Sequence, residues 1–344
     1  MKKRKKNKKL KKLTILFIIL DLLAICGFIM MYGPWDDIRN LYINTAMKTK
    51  DHKYLANIFY SQETIDKIMN SNYFIEIDEQ QNLDNIVIDT GPKNNYNNAY
   101  DKEILTRTEG NNDYKVIDIN VGISKGYLVA IYDPKKVHLI RTAQFNIGRY
   151  GDQVTTLCNK YNGLVCINGG GFKDDTGTGS DIPLGYVIEN SQIIWPLSNQ
   201  NTQTGNLIGF DNNGKLLLLP KTTGIQAINK GMVEGLEFGP FLIVNGKPLE
   251  IVGDPWGRSP RVAIAQRKDG IILFLVIDGE NYIDGATLGE MIDVLLKYGA
   301  YNAANLDGGH SASLSINGKL HNNPPSIAKK QGGRYVVTGF GLIP

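Results

Sequence analysis

The chain has 344 residues, 42% of them hydrophobic and 21% charged, with 37 glycines and 3 cysteines. That balance excludes fibrous, disordered and disulfide-scaffold classes, and the length permits a sizeable buried core. The formal charge is +4, yet nine of the 38 Lys+Arg lie between Lys2 and Lys12, leaving 29 cations against 34 acids, a net of −5, beyond them. A nucleic-acid binder carries its positive charge on the folded surface, so no nucleic acid is expected as a partner.

Residues 1–12 read as a basic cytoplasmic tail and 13–32 (LTILFIILDLLAICGFIMMY) as a transmembrane signal anchor. As a helix the segment spans about 30 Å, the thickness of a bilayer core. Basic flanks stay inside, so the remainder is expected outside the cell membrane. A cleaved signal peptide would need a small-x-small site after the apolar run, which is absent, and the bulky Ile25 spoils the lipidation box ending at Cys26. Asp21 near mid-span is either a tolerated acid or the mark of a helix partner.

Residues 33–112 read as an extracellular stalk or helical leader with a loop. Leu55, Ile58, Phe59, Ile65, Ile68 and Met69 have helical spacing, predicting one or two short amphipathic helices, and the asparagine-heavy GPKNNYNNAY and EGNND predict loop with at most one strand. A compact domain is expected over 113–344. Four hairpins are predicted there: Gly126–Tyr132 with Val137–Ala143, Leu184–Ile188 with Gln192–Trp195, Leu207–Phe210 with Lys215–Leu219, and Phe241–Val244 with Lys247–Ile251 across Asn245-Gly246. Pro248 marks an edge strand, since it has no N–H for a ladder. A helix over Gly151–Tyr161 leads into a strand, Leu164–Ile167. Cys158 falls on that helix and Cys166 on that strand, with only seven residues between them; a disulfide and two separately buried thiols are both consistent with this.

Further on, Ile271–Ile277 is a continuous apolar strand, Thr287-Leu288-Gly289-Glu290 is a capping box opening a helix to Tyr298, and Ala303–Leu306 is a second strand. Such a β-α-β unit pairs its strands in parallel as a rule. The fold class expected is therefore α+β, a mixed, largely antiparallel β framework with one β-α-β unit, preceded by a transmembrane helix.

The unit locates the chemistry. Asp278 follows the first strand and Asp307 the second, so both carboxylates reach one carboxyl edge of the sheet, where ligand crevices form. Each is followed by glycine, which makes a good turn and also lets backbone approach a ligand. Paired carboxylates serve glycoside cleavage or hold a divalent metal, calcium or magnesium. Asn168 ends another strand before Gly169-Gly170-Gly171, a run that matches neither a dinucleotide fingerprint nor a P-loop and reads as a backbone-lined pocket. Asp174, Asp175 and Asp181 fit no calcium-loop spacing and read as a solvated loop. Arg258 and Arg261, flanking Pro260, suit forked contacts to phosphate or carboxylate. His310 is placed beside the acids to serve as acid, base, ligand donor or structural histidine. Ser311 has no nucleophile elbow.

At these residues the sequence resembles the phosphodiester glycosidase family. The resemblance covers roughly 113–344 and rests on CINGGGF (Cys166 to Phe172), SPRVAIAQ (Ser259 to Gln266), LVIDGEN (Leu275 to Asn281), NLDGGHSASL (Asn305 to Leu314) and the closing GGRYVVTGFGL, in that order. It implies hydrolysis of a sugar-1-phosphodiester at the glycosidic bond, in cell-envelope or exopolysaccharide metabolism. It places Asn168, Arg261, Asp278, Asp307 and Arg334 on the family's motif positions. With the residues beside them, the expected site has Asp278 and Asp307 as the catalytic pair and Asn168, Gly169, Gly170, Arg258, Arg261, His310, Ser311 and Arg334 binding substrate. Glu280 and His310 depart from the family pattern, which commonly has a basic residue and a glycine or serine there. A non-catalytic glycan-binding or assembly factor on the same fold, and a metal-dependent phosphoesterase, are the rival classes.

Overall fold

The computed structural model describes residues 2–48, 53–174, 179–196, 198, 202–280, 284–325 and 332–344. The chain divides into two compact units, residues 1–73 with 252–257 and residues 74–251 with 258–344.

The first unit begins with the helix Lys2–Tyr32, whose stretch Lys12–Tyr32 has a mean hydropathy of 2.7 and is long and apolar enough to cross a membrane or to serve as a signal sequence. Three helices follow where one or two were predicted: Asp36–Lys48, Lys53–Phe59 and Gln62–Ser71. They bury Ile43, Ala46, Ala56, Tyr60, Ile65 and Ile68 against one another. Ser61 caps the last of them, its hydroxyl accepting from the Thr64 N–H at 3.3 Å.

The second unit is built from a seven-stranded sheet and two five-stranded sheets. All pairings within these three sheets are antiparallel. One apolar cluster joins them: Val129, Ile264 and Phe274 from the large sheet, Ile167, Leu314 and Phe340 from the second, and Ile208, Leu218 and Leu236 from the third. The fold is thus α+β and largely antiparallel.

Three of the four predicted hairpins form, and Pro248 lies in the edge strand of the seven-stranded sheet. The fourth, around Asp133-Pro134-Lys135-Lys136, does not. Asp133 caps a 3-10 turn there, accepting from the Lys135 N–H at 3.1 Å, and the chain crosses from one sheet to another. The strand Ser124–Ile131 pairs with Tyr114–Val121 instead, through a tight turn at Gly122 with φ +58°. The asparagine-rich segment also hides a short helix, Ala99–Leu105, opened by Asn98 as its cap. A buried ion pair, Arg267 to Asp101 at 2.6 Å, ties that helix to the sheet.

The β-α-β expectation is corrected in one respect. The strands Ile272–Ile277 and Ala300–Leu306 run in the same direction but are not neighbours, because Arg261–Arg267 lies between them, antiparallel to both. The helix Leu288–Lys297 connects them, and its capping box is complete, with Glu290 N–H to the Thr287 hydroxyl at 3.2 Å and Thr287 N–H to Glu290 Oε2 at 3.0 Å.

Cys158 and Cys166 are bridged. The bond fastens the helix Val154–Lys160 to the strand Val165–Asn168, whose far end enters the candidate site. Closing so short a loop is worth about 2–3 kcal/mol in the chain-entropy account. Urea denaturation with and without reductant should therefore differ by about that amount; equal stabilities would show that the bridge restrains nothing.

Candidate active site

The antiparallel insertion sets the geometry. Arg261 opens its strand opposite Ile277, the last strand residue before Asp278, and Val262 faces Leu306, the last before Asp307. Both acids and Arg261 therefore meet at one edge of the seven-stranded sheet. Each acid sits one step beyond a fully buried ladder.

Asp278 is 7% exposed. Its Oδ1 accepts from the Asn322 side-chain amide at 2.9 Å and from the Asn323 N–H at 3.0 Å, while its own N–H donates to the Lys125 carbonyl at 2.8 Å. Burial pushes its carboxyl above the ordinary aspartate range, against the pull of Asn322, the Asn323 N–H and the Lys125 ammonium.

Asp307 keeps part of its surface open at the floor of the edge, yet the surrounding protein desolvates it. Burial pushes its carboxyl up from 3.8 to about 6, opposed by hydrogen bonds from the Ser311 hydroxyl and the Gly308 N–H and by the charge of Arg334. Ser311 itself is 1% exposed, which makes it a support for Asp307.

Two buried asparagines clamp the segment that carries Asp307. Asn168 donates from its amide to the Asp307 carbonyl at 2.6 Å and accepts from the Ser313 N–H at 3.0 Å. Asn322 donates to the Ala312 carbonyl at 3.1 Å and accepts from the Leu314 N–H at 2.7 Å. Because Asn322 also reaches Asp278, it ties the two acids' supports together.

The glycine run completes the floor. Asp307 N–H donates to the Gly169 carbonyl at 2.9 Å, and Gly170 N–H donates to the Thr338 hydroxyl at 3.0 Å. A Cβ at Gly169 would fall 2.5 Å from Leu236 Cδ2 and 3.1 Å from Gly339 Cα, so the close approach of two sheets requires glycine there.

The arginines differ in what they hold. Arg258 donates to the Gly285 carbonyl at 2.8 Å and pairs with Glu290. Arg261, buried, donates from Nε to the Ala286 carbonyl at 2.9 Å, so both fasten the end of the loop that follows Asp278. Arg334 pairs with Asp174 and lies over the Phe172 ring. His310 is exposed on a 3-10 turn, Gly309–Ser311.

The solvated-loop reading of the nearby acids is corrected for Asp174, which is mostly buried in its ion pair with Arg334, and for Asp181, which is 3% exposed and accepts from the Ile147 N–H at 2.7 Å. Asp175 lies outside the described residues. Among the described residues no three His, Cys, Asp or Glu side chains come together as a metal would require.

The phosphodiester glycosidase family model matches residues 161–343, more than half of the chain. The chain belongs to the phosphodiester glycosidase family. It is 35% identical over 101 residues to the SPbeta prophage-derived protein YomE of Bacillus subtilis strain 168, covering 28% of this chain and 16% of that protein. It is 41% identical over 66 residues to the N-acetylglucosamine-1-phosphodiester alpha-N-acetylglucosaminidases of Bos taurus and Homo sapiens, covering 19% of this chain and 12% and 13% of theirs. The matches thus span less than a fifth of each relative's length. The catalytic domain of the zebrafish N-acetylglucosamine-1-phosphodiester alpha-N-acetylglucosaminidase shares the fold, with a TM-score of 0.54 at 21% identity over 67% of this chain and 82% of that one.

Asn322 and Asn323 carry no signal in the sequence, and Thr338 is not among the expected site residues although it lies in the closing block GGRYVVTGFGL. Asn322-Asn323 before Pro324-Pro325 reads only as turn composition, and the partners of each are set by tertiary structure. Asn322→Leu removes a donor to Asp278 and leaves the Leu314 N–H and the Ala312 carbonyl without their partner. It should raise the Asp278 carboxyl further and cost about 1–3 kcal/mol. A 13C titration of the Asp278 carboxyl and a denaturant melt check both; an unmoved titration would show that the amide does not govern the acid.

Proposed function

We propose that this family member is a membrane-anchored, extracytoplasmic hydrolase that cleaves the glycosidic bond of a sugar-1-phosphodiester in a cell-envelope polymer, such as an exopolysaccharide or a teichoic-acid-like chain. The observation that carries the reading is the meeting of Asp278, Asp307 and Arg261 at one sheet edge inside the stretch that matches the family. The nine cations before the apolar helix support an N-terminus on the cytoplasmic side and the second unit outside.

The chemistry follows from the residues. The departing phosphate has a second pKa near 6, far below that of an alcohol, so it leaves with little protonation. Activation of water is then the larger demand. Asp307, pushed up to about 6, is mostly ionised at pH 7 yet more basic than an ordinary aspartate, which suits it to take a proton from the attacking water. Asp278, held by Asn322 and Asn323, faces the positive charge that develops on the sugar ring. Arg261 fastens Ala286, at the end of the loop that follows Asp278.

Asp278→Asn and Asp307→Asn should each lower release of free sugar from a sugar-1-phosphodiester at least a thousandfold while the thermal melt persists. Full activity in both would sink the assignment. Saturable binding of envelope polymer with no product from the wild type would instead favour a glycan-binding factor.

Two pH effects carry opposite signs. If Asp307 is the base, kcat/KM falls as pH drops through about 6, and a profile flat down to pH 4 contradicts that role. For stability, the folded state binds the Asp307 proton more tightly than the unfolded state. Stability therefore falls as pH rises from about 4 to about 6, and the cost persists above that, at up to about 3 kcal/mol. Asp307→Asn removes the charge and should melt higher than wild type at pH 7.5 but not at pH 4; a lower melt at pH 7.5 overturns the account.

A further inference from the structure

An anionic diester approaching a unit rich in acids needs a cation whose donors are not already spent on neighbouring protein groups. Arg258 is engaged by Glu290 and the Gly285 carbonyl, and Arg334 by Asp174. Arg261 is buried behind the Ala286 carbonyl. A different cation stands directly beside Asp278. Lys125 lies in the strand Ser124–Ile131, next to Gly126, which pairs with Ile277, so Lys125 comes opposite Asp278 and its carbonyl accepts the Asp278 N–H at 2.8 Å.

The Lys125 side chain is exposed, and its ammonium lies 5.0 Å from the centre of the Tyr127 ring. Two positions along a strand share a face, which is why Lys125 and Tyr127 stand together. Tyr127 is 5% exposed and packs edge-on against His321, with ring centres 4.8 Å apart. His321 immediately precedes Asn322 and Asn323, the residues that hold Asp278. Lys125, Tyr127, His321 and Asp278 thus form one continuous patch from three separate segments. Among the described residues no carboxylate closes on Lys125 to ion-pair distance.

We infer that Lys125, with the Tyr127 hydroxyl beside it, is the subsite that receives the phosphate group of the substrate next to Asp278; the inference rests on the phosphodiester reading above. The ammonium has three N–H donors and lies over the Tyr127 ring, whose hydroxyl is a further donor at the same place. Such donors suit an incoming phosphate oxygen. The contact with Tyr127 is the main cause that raises the Lys125 pKa; the charge of Asp118, which pairs with Tyr127 across the neighbouring strand, adds to it, and that of Asp278 adds less. A compact, flexible point charge suits a phosphate within a polymer, which arrives in varied orientations, better than a fixed guanidinium fork.

The test is equilibrium binding, by calorimetry, to the full-length chain in detergent micelles, every protein also carrying Asp307→Asn so that no diester is hydrolysed during the titration; in this binding series wild type is that chain with Lys125 and Tyr127 intact. The probes are the methyl 1-phosphodiesters of N-acetylglucosamine, glucose and galactose, each beside its neutral methyl glycoside. Wild type should bind at least one diester more tightly than its neutral counterpart. Lys125→Met should weaken that diester about tenfold, the size of one charge-assisted contact, without changing the neutral glycoside. Lys125→Arg should recover most of the loss, and Tyr127→Phe should show a smaller one. Diester binding unchanged in Lys125→Met, equal loss of both probes, or no preference for any diester in wild type overturns the subsite. Sugar release is scored separately, on the chain with Asp307 intact: charge-dependent binding without release leaves the subsite standing and overturns the hydrolase reading.

Discussion

The strand Arg261–Arg267 is the element on which the candidate site depends. It is buried along its whole length and bonded on both sides, so its ladder leaves no backbone group unsatisfied in the middle of the seven-stranded sheet. Its direction forces both neighbours to run the opposite way. Ile272–Ile277 and Ala300–Leu306 then deliver their following residues, Asp278 and Asp307, to one edge, and the strand's own first residue, Arg261, starts between them. Were the two acid-bearing strands adjacent, the carboxylates would flank each other at one strand spacing of about 4.8 Å. The inserted strand doubles that spacing in the sheet and makes room for a ligand.

Electrostatics then separates two residues of the same type. Burial raises both carboxyls: Asp278 against the donors from Asn322 and Asn323, and Asp307, to about 6, against those from Ser311 and Gly308. Different surroundings give two aspartates different proton affinities, which is what divides acid–base work between like groups. The rigidity that this requires comes from Asn168 and Asn322. Each uses both ends of its amide to clamp the backbone of the 307–314 segment, Asn168 at Asp307 and Ser313 and Asn322 at Ala312 and Leu314. The disulfide and the glycine run place Asn168, so the second sheet positions an acid carried by the first.

Much of this was legible in the sequence because the relevant elements are locally determined. A continuous apolar strand, a capping box and an Asp-Gly step located Asp278, Asp307 and the helix Leu288–Lys297 without tertiary information. Arg261, Asn168 and the glycines were legible as strand-end residues. What was illegible depends on partners distant in the chain. The insertion of Arg261–Arg267 cannot be read from a strand–helix–strand pattern, because pairing order leaves no trace in periodicity. Asn322 and Lys125 look like ordinary turn and surface residues until Asp278 is beside them. The missing hairpin at Pro134 and the helix opened by Asn98 share a cause: a short polar cap reads as a loop until the apolar face behind it is known.

The central claim is that this sheet edge breaks the bond between the sugar and the phosphate oxygen. Running the reaction in 18O-labelled water with a sugar-1-phosphodiester and locating the label by mass spectrometry tests it most directly. The account predicts 18O in the released sugar, as attack at the anomeric carbon requires. Label in the phosphate would show cleavage at phosphorus and contradict the assignment of Asp278 and Asp307 to glycosidic chemistry.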